Sequence, residues 1–277
     1  MLSVTLDIED HRGAARGPKR HAAMTEQLLE LLAEAGVRAS LFIVADLIAT
    51  DRALIRRIAA EGHEIGLHSF DHVPLAAHDP DSFRRRTADA RAALADAAGA
   101  PVPGYRAPSF SLTRATPWVP EALAEIGFHY SSSVLPAGSP LHGYPGAPRE
   151  PFRWPCGLLE LPAPVTRVGP LTLPYLGGIY FRYLPAALIR RRLRGADSGP
   201  AAGLWSYLHP YDIDPAEPFC RPHGAPLWMS LLLHARRSGA RARFARLLHG
   251  GMGSTIGPPL GARVAAGHFT AARPFPG

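Results

Sequence analysis

The chain has 277 residues, 47% of them hydrophobic, enough for one large α/β domain or two small ones with an ample core. Its 29 prolines and 27 glycines are spread without a period, which excludes a collagen-like or low-complexity chain, and its hydrophobic content excludes disorder. The net charge of +7 is almost wholly arginine, Lys19 being the only lysine. Most of it lies in helical stretches such as "LIRRRLRG" that read as solvated faces, not as a nucleic-acid surface.

In chain order, "LSVTLDI" reads as a buried strand that ends in the acids of "DIED". In "MTEQLLELLAEAGVRASLFIV", Thr25 can cap a helix with leucines at helical spacing, Gly36 stops it, and "ASLFIV" is a second strand. "DRALIRRIAAEGHEIGLHS" repeats the pattern: helix, Gly62, then a strand ending at His68. "PDSFRRRTADARAALADAAG" is a helix, and "VPGYRAPSFS" a strand leading into a loop. "TPWVPEALAEIGFHYSSSV" gives a proline-started helix, Gly127 and another strand. Residues 131–176 show no clear helix and read as loops or short hairpins. Then come a helix in "LPAALIRRRLRG", a strand with a polar end in "GLWSYLHPYDIDP", and one amphipathic helix over 225–249. The tail from Gly250 has little periodicity and is expected to be loosely packed.

This βα rhythm belongs to a parallel sheet or barrel, where functional groups gather at the carboxyl ends of strands. The acids of "DIED", the histidines of "HSFDH", Arg106 and His209 all fall at such ends. His68 and His72 are four apart, a spacing that puts both rings on one face of a helical turn. With 13 histidines in the chain, about 0.6 such pairs arise by chance, so the pair needs a carboxylate to mean anything. "DIED" supplies candidates in Asp7, Glu9 and Asp10, with Asp7 and Glu9 sharing a face if the strand continues. Two imidazoles and a carboxylate with open positions are the ligand set of a catalytic zinc or similar divalent ion. Asp212 and Asp214 can orient His209 or raise its pKa, or can equally be turn formers before Pro215.

Cys156 and Cys220 form no CxxC pattern and read as free thiols. The start "MLSVTLDIEDHRG" is charged by residue 7 and lacks a signal-peptide core, so a cytoplasmic setting is expected. No apolar run approaches a membrane span, which leaves peripheral contact with a membrane open.

"TLDIED", "HSFDH", "YRAPSFS" and "YLHP", in this order, resemble the motifs of the polysaccharide deacetylase family (carbohydrate esterase family 4, the NodB homology domain). "HGYPGAPR", "GGIYFRYLP" and "LHPYDIDP" resemble a bacterial subgroup associated with exopolysaccharide synthesis. The resemblance runs over roughly residues 2–215 and implies one catalytic domain over 1–277, a distorted (β/α) barrel with fewer than eight repeats. It implies a divalent ion, usually zinc, held by His68 and His72 with Glu9 or Asp10. It also implies Asp7 as base, Arg106 orienting Asp7, and His209 as general acid. The implied reaction is removal of N-acetyl groups from an amino-sugar polymer, oligosaccharide or lipid-linked glycan, with a backbone N–H near Ser109 steadying the oxyanion. Hydrolysis of a small amide, as in allantoinase-like relatives, and a weakened glycan-binding homologue are the rival expectations. Trp154, Tyr175, Tyr180 and Phe181 are candidate sugar platforms, or else ordinary core aromatics. One departure stands out: "YSSS" replaces Tyr-Asp-Ser-Ser, with Ser131 at the aspartate's position. If that aspartate tunes a catalytic group, the expectation is either a slower enzyme or one that uses Asp212 or Asp214 instead.

Overall fold

A computed structural model of the chain describes residues 1–12, 19–196, 203–221, 226–253 and 255–277. The strands are β1 (Leu2–Ile8), β2 (Ser40–Ile43), β3 (Glu64–Leu67), β4 (Gly104–Tyr105), β5 (Tyr130–Ser131), β6 (Phe152–Arg153), β7 (Leu159–Glu160), β8 (Val165–Val168), β9 (Leu171–Pro174), β10 (Leu204–Leu208) and β11 (Arg273–Pro274). The helices are α1 (His21–Glu34), α2 (Ile48–Ala60), α3 (Pro80–Ala98), α4 (Val119–Ile126), α5 (Gly178–Tyr183), α6 (Ala186–Ala196), α7 (Leu227–His234), α8 (Ala240–Leu248) and α9 (Leu260–Ala265).

Nine strands form one curled sheet in the order β10-β1-β2-β3-β4-β5-β7-β6-β11, parallel throughout except for the β6–β7 pair. With helices packed outside, this is a distorted (β/α) barrel that stays open between β10 and β11. The first five strands all point the same way, so the residues that follow them meet on one rim. β1 is buried along its whole length, as a central parallel strand must be.

The helices between these strands follow from local sequence. In α3, Asp79 accepts a hydrogen bond from the Ser82 N–H (2.9 Å), and Pro80 opens the first turn. Phe83, Ala90, Leu94 and Ala97 form the buried stripe, and Gly99 closes the helix at φ 64°, where a Cβ would be strained. α4 opens with Pro120 near its start and ends at Gly127, φ 91°. Thr25 is not a cap, however. α1 begins four residues earlier, and the Thr25 hydroxyl donates to the His21 carbonyl (2.8 Å) from inside the helix.

Residues 131–176 are short strands and hairpins, as expected, with β8 and β9 forming a separate antiparallel pair. The expected single helix over 225–249 is instead two, α7 and α8, broken where Arg236 takes φ 59°; residues 222–225 lie outside the described residues.

The expected loose tail is packed. Met252, Leu260 and Phe269 are buried, and β11 pairs with β6. Phe275 meets Phe152 and Trp154 at ring distances of 5.1 and 5.7 Å. Low periodicity misled here because these contacts are single apolar anchors between turns, without a repeating face. Among the described residues no helix is long and apolar enough to cross a membrane.

Candidate metal and catalytic site

Asp7 is the second-to-last residue of β1, His68 follows β3, Arg106 follows β4, Ser132 follows β5 and His209 follows β10. The parallel register carries all five to the same rim. There, Asp7, Glu9, His68, His72, Ser109, Phe110, Tyr207, His209 and Tyr211 line a cleft of about 80 Å³.

Glu9, His68 and His72 each offer a ligand atom within 4.8 Å of the others. Their meeting does not use a helical turn. Residues 68–72 are irregular, with Ser69 and His72 both in the left-handed region (φ 66° and 58°). The Ser69 hydroxyl accepts the His72 N–H at 2.9 Å and holds this reversal. Asp10 does not join the cluster: it faces Lys19 (3.7 Å) and accepts from the Arg12 N–H. Of the two acids that the sequence left open, Glu9 is the one beside the histidines.

The donor set fits a divalent cation. Glu9 Oε2 is buried without a directed hydrogen bond, pressed against His72 Nε2 and 4.0 Å from His68 Nε2. His68 Nδ1 lies 2.9 Å from the Arg106 carbonyl, which fixes that nitrogen as the N–H and leaves Nε2 with its lone pair. Burial lowers the His68 pKa to about 4, outweighing the pull of Asp7, so the ring is neutral at ordinary pH. Burial also acts against charge on Glu9, but His72 beside it, with His209 and His68, holds its carboxyl far below the usual carboxylate range. His72 is lifted in return: burial lowers it and Glu9 more than compensates. An anionic oxygen with neutral imidazole beside it is what a cation site requires.

Asp7 is held from one side. Fully buried Arg106 donates from Nη1 to Asp7 Oδ1 (2.5 Å) and to Thr5 Oγ1 (2.8 Å), and from Nη2 to Ser132 Oγ (3.0 Å). Its guanidinium lies between the rings of Phe42 and Trp205, 3.9 and 4.2 Å from their centroids. Asp7 Oδ2 is left facing His209 Nε2 at 3.8 Å, and Glu9 Oε1 lies 4.0 Å from the same nitrogen.

Of the two aspartates near His209, Asp212 is its partner. Asp212 Oδ2 lies 2.9 Å from both the His209 backbone nitrogen and ring Nδ1. Asp214 instead pairs with Arg20 through two bonds of 2.5 and 2.9 Å. Burial would lower the His209 pKa, but the hydrogen bond and charge of Asp212, helped by Glu9 and Asp7, raise it to about 9. Tyr211 stacks on the ring at 4.6 Å and 13°.

Arg182, in "GGIYFRYLP", was not singled out in the sequence. Its Nε lies 3.0 Å from Asp212 Oδ1, with both side chains fully buried, so it balances the carboxylate that holds His209. An arginine inside an apolar run was the available signal. Ser131 belongs to a different hydrogen-bond network. Its hydroxyl donates to Ser133 (2.9 Å), which accepts the Ala107 N–H, while Glu160 accepts the N–H groups of Ser133 and Val134.

The predicted substrate contacts divide. Ser109 lines the cleft, exposed and at φ 52°. Tyr180 is half-buried and is not among the residues lining the cleft. Trp154, Tyr175 and Phe181 are buried in the main core, which overturns their reading as sugar platforms.

Comparison with known proteins agrees with this geometry. Residues 5–130 match the polysaccharide deacetylase family, and residues 132–252 match a domain of unknown function, DUF3473. A chitooligosaccharide deacetylase of Rhizobium leguminosarum bv. trifolii is 35% identical over 81 residues, which are 29% of this chain and 37% of that protein. The chain spans between 33 and 39% of the length of the curated relatives it matches. A Mycobacterium smegmatis crystal structure assigned to the polysaccharide deacetylases aligns over 99% of this chain and 91% of its own (TM-score 0.66, 21% identity). The allantoinase PuuE aligns over 98% and 90% (TM-score 0.61, 15% identity). At these identities the two structures share the fold with this chain.

Proposed function

We propose that this chain is a metal-dependent hydrolase that removes N-acetyl groups from an amino-sugar polysaccharide, oligosaccharide or lipid-linked glycan. The observation that carries the reading is the cleft itself: Asp7 and His209 face each other across it, beside the Glu9–His68–His72 cluster. Glu9, His68 and His72 would hold the ion, zinc by its donor set. When bound, the ion polarises the acetamide carbonyl and acidifies water.

Asp7 accepts the proton of the attacking water at Oδ2, because Oδ1 is occupied by Arg106. His209 carries its proton on Nε2 and delivers it to the departing amine, while Asp212 fixes Nδ1 as the other N–H. The main-chain N–H of Ser109 receives the negative oxygen that forms on the acetamide. Asp212 takes the role that the aspartate replaced by Ser131 would have had, so loss of that residue does not strip the acid of its partner. The Rhizobium chitooligosaccharide deacetylase supports a chitooligosaccharide-type substrate, and a cleft of about 80 Å³ is in keeping with entry of an acetamide group and not of a whole sugar ring.

The test is acetate release from a panel of N-acetylated glycans, with allantoin as a small cyclic amide, before and after zinc is added to chelator-treated protein. Zinc-dependent acetate from a glycan is the expected result. Turnover of allantoin alone would establish the small-amide reading. Glycan binding with no turnover of any substrate and less than stoichiometric metal would establish a weakened glycan-binding homologue.

A further inference from the structure

All 23 acidic residues of the chain lie at or before Glu217. The 60 residues after it carry eight arginines and no acid, so the excess positive charge of the whole chain is concentrated there. The same region opens with an apolar surface. Among the described residues seven large hydrophobic side chains are exposed, and four of them are Phe219 (47%), Leu227, Trp228 and Leu231 (53% each). Leu227, Leu231 and His234 repeat at i, i+4 and i+7 along α7, Trp228 lies one turn (i, i+3) from Leu231, and Phe219 meets His234 at 5.6 Å, so the exposed apolar side chains border one face. Arg221, Arg236 and Arg241, all exposed, follow closely in the chain, and Arg236 lies over the Tyr183 ring at 4.9 Å.

We propose that α7 and the Phe219 loop form a docking face for an anionic lipid bilayer. A soluble anionic polymer would be met by the arginines but has no use for an exposed tryptophan, two leucines and a phenylalanine. A neutral protein groove would be met by the apolar residues but not by a 60-residue stretch without one acid. An anionic membrane interface uses both: apolar side chains enter the acyl boundary, the indole sits at headgroup level, and arginines reach the phosphates. The end of α7 is tied to the cleft through one buried side chain. Arg182 donates to the carbonyls of Ala235 and Leu233 at the end of α7, and the same side chain pairs with Asp212, the partner of His209. Docking there would present the cleft to a substrate at the membrane surface.

The test needs no turnover, so it is independent of the proposed reaction. The whole protein is floated with vesicles of phosphatidylglycerol and phosphatidylcholine, and with phosphatidylcholine alone, at low and high salt. Tryptophan emission is recorded in parallel. Trp154 and Trp205 are buried and Trp118 is half-buried, so a blue shift reports chiefly on Trp228. The expected result is flotation on the anionic vesicles, weakened by salt, with a blue shift that brominated lipid quenches. Leu227→Ser/Leu231→Ser and Arg236→Ser/Arg241→Ser should each weaken binding about tenfold or more without changing the circular dichroism spectrum. Wild-type protein that does not float would overturn the proposal. So would binding that salt abolishes but the leucine variant leaves intact, which would mean charge alone. A concentration-dependent dimer that the leucine variant dissolves would show that a second copy, not a bilayer, covers the face.

Discussion

The first and second halves of this chain contribute different parts of the same site. From β1 to β5, each strand leads through a helix to the next parallel strand, and four of the five strand ends deliver functional groups: Asp7 with Glu9 at β1, His68 with His72 after β3, Arg106 after β4 and Ser132 after β5. From β6 onward the elements are short, and contacts reach across the chain. His209 depends on Asp212, Asp212 on Arg182, and Arg182 on the carbonyls of α7. In the proposed reaction the regular half supplies the candidate metal ligands and the base, and the irregular half positions and charges the acid. Damage to the first half should therefore remove chemistry outright, whereas damage to the second should change its pH and leaving-group dependence.

The largest expected effect follows from removing both imidazoles. His68→Ala/His72→Ala should reduce the bound divalent ion from about one per chain to a trace and abolish acetate release, read by elemental analysis beside the assay. Full occupancy in the double variant would remove the metal site from the account. Next, Asp7→Asn should keep the metal and lower the rate by about 10² or more, the usual scale for a lost general base. If it empties the site, Asp7 is a ligand and the division of labour within β1 is different.

In the second half, Asp212→Asn tests how the acid is charged. A His209 pKa raised to about 9 means the imidazolium is present below that pH and lost above it, so the rate should fall on the alkaline limb. Without the Asp212 carboxylate the limb should move to lower pH, with amide hydrolysis affected far more than hydrolysis of an activated aryl ester, whose leaving group needs no proton. An unmoved limb would assign it to another group. The smallest effect separates two neighbours in the first half. Glu9→Gln should weaken metal binding by about tenfold or more, and Asp10→Asn should leave it within about twofold, because Asp10 faces Lys19. Calorimetric titration of the two variants decides this, and equal losses would return Asp10 to the ligand set.

The same division explains what was legible in the sequence. Helical and strand periods locate β1 to β5 and their strand-end residues, because each βα unit buries one repeating face and ends on a polar group. Glu9 could not be chosen over Asp10 from spacing, since that depends on whether β1 stays extended for one more step. His68 and His72 come together through two left-handed residues, Ser69 and His72, and not through the helical turn their spacing suggested. In the second half, Trp154, Tyr175 and Phe181 carry no period that separates a core ring from a surface one. Only the packing of Phe275, more than 100 residues away in the chain, shows Trp154 to be inside. Asp212 and Asp214 look alike in "HPYDIDP", and Arg20, almost 200 residues away in the chain, is what takes Asp214 away from His209.

The most direct measurement is acetate release from N-acetylated chitooligosaccharide by one protein sample in three states: as purified, after chelation, and after chelation with one equivalent of zinc. The account predicts release in the first state, none in the second, and recovery in the third that Asp7→Asn does not share. Equal release with and without metal, or recovery undiminished by Asp7→Asn, would contradict it.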